Sequence, residues 1–193
     1  TMLSKRIIAI LLIVQTSLAL MMVIATPISG QDSRDAASAR YYVNRANAAF
    51  ANGRWDEAIA DYDIALTFDP RNAAIYNRRG QTWMAQRHFN LAVTDFDQAI
   101  ELDPGLAEAW NNRGVAQFRN GRLEAAVADF DRAIRLQPRY ALAYANRGMT
   151  RMKQGRDDEA RRDFDLCLKL DKGLKPGIER LTGKFDQQVV VKP

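Results

Sequence analysis

Apolar and polar positions along the chain recur with a period of 34 residues between Ala39 and Leu174. In rows beginning at Ala39, Ala73, Ala107 and Ala141, the fourth column holds a large ring (Tyr42, Tyr76, Trp110, Tyr144) and the eighth a tiny residue (Ala46, Gly80, Gly114, Gly148). The twentieth column is Ala58, Ala92, Ala126 and Ala160, the twenty-fourth Tyr62, Phe96, Phe130 and Phe164, and the twenty-seventh Ala65, Ala99, Ala133 and Cys167. Pro70, Pro104 and Pro138 occupy the thirty-second column, where the last row has Lys172. A repeat of about 20–50 residues marks a solenoid or array, and this arrangement predicts two helices joined by a turn in each row. Tiny side chains let the two helices approach closely, and the ring of column 24 fills the space left between them. Gly53, Gly121 and Gly155 at column 15 suit the left-handed conformation that ends a helix. Each pair leaves an apolar face open, so neighbours must stack, and stability should grow with the number of repeats joined.

At these residues the chain resembles the tetratricopeptide repeat family. The resemblance covers four repeats, 39–72, 73–106, 107–140 and 141–174, or 136 of 193 residues. It implies an all-α, right-handed superhelical solenoid that serves as a non-enzymatic scaffold for protein partners. Departures from the family pattern fall at column 7 (Arg45, Arg79, Arg113, Arg147), at column 11 (Ala49, Trp83, Gln117, Arg151) and at Arg87, which replaces the turn glycine of the second row. Residues 175–193 read as a capping helix and tail, with Pro176 opening a helix that carries Ile178, Leu181 and Phe185 on one face.

Residues 1–25 form a different kind of segment. Lys5 and Arg6 precede nineteen uncharged residues from Ile7 to Ala25, the order of a secretory signal, at a length that also approaches a bilayer span. A cleaved signal peptide and an uncleaved amino-terminal anchor both fit. Either would deliver the repeats across the cytoplasmic membrane, to a periplasmic, secreted or anchored location. Residues 26–38 read as a polar linker.

Composition narrows the chemistry. One Cys and one His leave no intramolecular disulfide, no zinc finger and no histidine-based triad. The charge of +5 loses two bases with residues 1–25, so the remainder is close to balanced. Each row also spells Asp-x-Asp, at Asp61/Asp63, Asp95/Asp97, Asp129/Asp131 and Asp163/Asp165. Residues two apart on a helix diverge by roughly 200°, so these carboxylates do not share a metal ion. The reading favoured here is a ladder of partly exposed ion pairs within each repeat, from the column 7 arginines to one of the aspartates. Such pairs contribute about 0.2–1 kcal/mol, so Arg113→Leu should cost little. His88 sits in a turn with no partner placed by the pattern, and Cys167 fills an alanine column as a small buried side chain. No catalytic residue, metal site or cofactor is expected.

The resemblance implies a concave groove lined by the first helices through columns 2, 5, 6, 9, 12 and 13. Its candidate residues are Asn44, Arg78, Asn112 and Asn146 as a polar rail, and Phe50, Met84, Phe118 and Met152 as an apolar rail. Asn47 and Gln81 stand in column 9, and Arg119 and Lys153 in column 13. Amides that both donate and accept suit an extended peptide backbone, and Phe and Met make adaptable apolar contacts. Together with Arg40 and Arg78, against Glu108, the column 13 cations favour an acidic or carboxylate-bearing protein or peptide. Family members that hold the carboxylate tail of cytosolic heat-shock chaperones place Lys at column 5 and Asn at column 9 of one repeat, Asn at column 6 of the next, and Lys and Arg at columns 2 and 6 of the third. Here one register gives Val43, Asn47, Arg78, Glu108 and Asn112 and the next Asn77, Gln81, Asn112, Leu142 and Asn146, so that ligand is not expected. Two alternatives remain: RNA binding, suggested by a pI near 9.5, and self-association through a repeat end. Nucleic acid is disfavoured because the arginines concentrate in the column facing aspartates.

Overall fold

The computed structural model describes residues 29–180, with side chains from residue 33 onward. The chain divides into two compact units, Thr1–Ser38 and Ala39–Pro193. The described part of the first is the start of helix α1 (Ser29–Ala51). Residues 29–38, expected as linker, are therefore helical. The run is rich in Ala, Ser and Asp, with no proline or β-branched residue to interrupt it. The apolar run at 7–25, with its two export readings, lies outside the described residues. Among those residues no helix is long and apolar enough to cross a membrane.

The second unit alternates first and second helices in register with the 34-residue period. After α1 come α2 (Trp55–Phe68), α3 (Ala73–Ala85), α4 (Phe89–Leu102), α5 (Ala107–Arg119), α6 (Leu123–Leu136), α7 (Ala141–Lys153) and α8 (Asp157–Leu170). A 3-10 turn (Lys172–Leu174) leads into a helix over 175–180. Each first helix from α3 onward packs on the second helix of its own repeat and on that of the repeat before, and α3, α5 and α7 touch in succession. The first helices therefore line one side of the stack. Ile178 is buried with Ala160, Phe164 and Cys167, so the helix after the last repeat covers its open face. Leu181 and Phe185 lie outside the described residues.

The column 24 ring is the centre of each repeat. A Cβ on Gly80, Gly114 or Gly148 would stand 2.7, 2.6 or 2.8 Å from the Cε1 atom of Phe96, Phe130 or Phe164, inside van der Waals contact. In the first repeat Ala46 takes the glycine position and Tyr62 the ring, and the Tyr62 hydroxyl donates to Asn47 Oδ1 at 2.6 Å.

The ion-pair ladder differs from the sequence expectation in two respects. Its inner carboxylates are buried, and through the more exposed outer aspartates it joins neighbouring repeats. Arg113 donates through Nε and Nη2 to Asp129 at 2.9 and 2.6 Å, and through Nη1 to Asp97 of the preceding repeat at 2.6 Å. Arg79 spans Asp95 and Asp63, and Arg147 spans Asp163 and Asp131, in the same way. The divergence of the two carboxylates in Asp-x-Asp is what allows this: the first turns to its own repeat's arginine and the second to the next. The Trp110 ring lies under the Arg113 guanidinium, 4.7 Å from its centroid, and Tyr76 and Tyr144 lie likewise under Arg79 and Arg147. The inner aspartates are nearly inaccessible, from 5% relative exposure at Asp61 to 1% at Asp163. Arg79, Arg113 and Arg147 side chains are 21%, 20% and 14% exposed, against 52% for Arg45, which has no preceding repeat. Burial pushes the Asp95 and Asp129 carboxyls above their ordinary values even against the pull of Arg79 and Arg113. For Arg113, burial also disfavours the charged form, and the bonds to Asp129 and Asp97 outweigh it.

Two further polar seams follow the same register. Asn112 Nδ2 donates to Asn77 Oδ1 at 3.0 Å and Asn146 Nδ2 to Asn111 Oδ1 at 2.9 Å. At the turns, Gln86 donates to Asp56, Asn120 to Asn90 and Gln154 to Glu124, each one repeat back. Because Asp129 is buried, removing its cation leaves a desolvated charge without compensation. Arg113→Leu should therefore lower stability by about 3–5 kcal/mol in urea unfolding. Arg45→Leu should cost less, because the half-exposed Arg45 pairs with Asp61 alone where Arg113 holds two aspartates, and equally small losses for both would return the ladder to the surface.

Candidate functional site

The groove residues expected from sequence fall into two groups. Asn112 and Asn146 are half-buried and bonded to the preceding repeat, so at these steps the polar rail serves the stack first. Asn47 accepts from Tyr62, and Gln81 Nε2 donates to Glu108 Oε1 at 2.7 Å across the repeat boundary. Met84 packs against Ala92, Phe96 and Ala116, and Met152 against the core around Phe164 and Cys167. Asn44, Phe50, Arg78, Arg119 and Lys153 are exposed. Phe118 is half-buried, with the Lys153 ammonium 4.9 Å from its ring centroid.

Two cavities on this side lie in the second to fourth repeats. A cavity of about 100 Å³ is lined by Val115, Phe118, Arg119, Phe130, Asn146 and Met149. Another of about 300 Å³ is lined by Met84, Arg87, Phe89, Val115 and Arg119. The two share Val115 and Arg119. The structure thus brings Met84, Phe118, Arg119 and Asn146 to one stretch of wall and leaves Asn44 and Phe50 in the first repeat, apart from it. Val115, Met149, Phe89 and Arg87 were missed by the sequence reading. Column 9 carried a signal for the first two, since it changes from amide (Asn47, Gln81) to apolar (Val115, Met149) along the chain.

Arg87 is held at φ 65°, the position that Gly53, Gly121 and Gly155 fill at 71°, 77° and 77°. Its backbone completes the same helix-ending turn as theirs, with Arg87 N–H donating to Met84 and His88 N–H to Trp83. The Trp83 and His88 rings meet edge to face at 5.8 Å.

Among the described residues no group of three or more His, Cys, Asp or Glu side chains stands where it could hold a metal. Burial, and secondarily Asp171, raises the Cys167 thiol above its ordinary value, which keeps it protonated.

The tetratricopeptide repeat model matches residues 77–141 and 119–173, and a second model, described as TPR repeat, matches 46–87. The chain belongs to the tetratricopeptide repeat family. No curated protein matches it by sequence. Among solved structures, the MamA protein is 28% identical with a TM-score of 0.65, over 75% of this chain and 76% of that one. The first TPR of Spaghetti (RPAP3), solved with the HSP90 peptide SRMEEVD, is 26% identical with a TM-score of 0.60, over 61% and 94%. The Arabidopsis OM64 TPR domain is 25% identical with a TM-score of 0.60, over 62% and 98%. Membership in this family makes the repeats a protein-interaction scaffold. Since Arg87 bears the steric cost of a left-handed L-residue, Arg87→Gly should stabilise the fold by about 1–2 kcal/mol, read as a higher urea midpoint at unchanged slope.

Proposed function

We propose that the repeats bind an extended segment of a protein partner in the wall formed by α3, α5 and α7, outside the cytoplasm, and that they do so without catalysis. The observation that carries this reading is the pair of adjoining cavities between the second and fourth repeats, floored by Met84, Val115, Phe118 and Met149 and edged by Arg119. Apolar floor with a few placed polar groups is the composition of a recognition site. A related repeat domain that holds a peptide supports the mode of binding. The chaperone-tail cations remain absent at Val43 and Asn77, and Asn77 is buried in the Asn112 seam, so the ligand differs from that domain's peptide. The charge order of residues 5–25 supports delivery across the membrane or anchoring at it.

Photocrosslinking in cells tests this directly. A photoreactive residue at position 118 should give discrete protein adducts, and one at position 98, exposed on second helix α4, should not. Equal adducts from both positions, or none from 118, would contradict the groove reading.

A further inference from the structure

We infer that Arg87 and Arg119 form an anion-recognition pair within the proposed groove, selecting partner segments in which an acidic side chain stands next to a bulky apolar one. The inference rests on the groove reading and specifies its ligand.

The second repeat retains Arg where its three counterparts have glycine, so a left-handed backbone is kept together with a long cationic side chain. Backbone strain of this kind clusters at ligand clamps and switch regions. Arg87 lines two cavities, the one of about 300 Å³ with Met84, Phe89, Val115 and Arg119 and another of about 220 Å³ at the turn edge, beside His88 and Asn120. Arg119 comes from the last turn of α5 in the next repeat, on the same cavity wall. No ion pair to either arginine is formed within the described residues, whereas Arg79, Arg113 and Arg147 are each fully engaged by two aspartates.

Two arginines lining one cavity with Met84, Phe89 and Val115 complement a carboxylate beside an apolar side chain. The carboxylate is carried as a side chain within the segment. Because the cavity shares Val115 and Arg119 with the one lined by Phe130, a ligand filling both passes Arg119 in mid-course instead of ending there.

The test uses the full chain in mild detergent against an array of short carboxy-amidated peptides with Glu, Lys, Leu, Phe or Gly at two adjacent central positions. Glu-Leu and Glu-Phe peptides should be retained above Lys-Leu and Glu-Gly, and Arg119→Gln and Arg87→Gly should each weaken retention about tenfold. Arg87→Gly relieves backbone strain, so loss of binding in that variant cannot come from unfolding. Equal retention of Lys-Leu peptides overturns the pair. So does binding that ignores both arginine variants yet disappears in Phe118→Ala, which would leave the groove reading standing. Retention of a labelled single-stranded RNA through the same arginines, with no acidic peptide retained, also overturns it. Retention of no peptide at all removes both readings.

Discussion

A buried carboxylate in every repeat that only an arginine can compensate is the constraint on which the rest of this solenoid depends. Asp95, Asp129 and Asp163 are withdrawn from water between helices, where an unpaired charge would cost several kcal/mol. The column 7 arginine that answers each of them, joined at Asp163 by Arg151, has a third nitrogen and a ring face to spare. The nitrogen reaches back to the preceding repeat and the ring face is taken by the column 4 aromatic. One side chain thereby fixes the angle between two helices of its own repeat and the register of that repeat on the one before. The exposed Arg45 shows the rule by exception, since no repeat precedes it.

Committing so much polar chemistry to stacking shapes what is left for recognition. The aspartates, the Asn112 and Asn146 amides and the turn amides are engaged across repeat boundaries. Among the surfaces left open is a short apolar wall with Arg119 at its edge, bounded at one turn by a strained arginine. A rigid frame with a small specialised stretch suits a protein-interaction scaffold.

The helix pairs, their boundaries and the ring at each centre were legible from the sequence, because a 34-residue period repeats one packing solution. The arginine–aspartate pairing was also legible, but not its depth or direction. Column spacing says which faces meet within a repeat; only the stacked structure shows that the second aspartate looks forward to the next arginine. Part of the cavity wall was legible, at Met84, Phe118, Arg119 and Asn146. Column 6 asparagines have the spacing of a ligand rail whether they face a peptide or the neighbouring Asn77 and Asn111, and sequence cannot separate the two. Arg87 was visible as a missing glycine, while the cavity it shares with Arg119 depends on how two repeats stack.

Coupling between Arg113 and Asp129 tests the central claim most directly. Urea unfolding of Arg113→Leu, Asp129→Leu and the double variant closes a mutant cycle. If the ladder is a buried constraint, the double variant will be more stable than Arg113→Leu alone, because the uncompensated charge is gone. Additive losses, with the double variant the least stable of the set, would contradict that account.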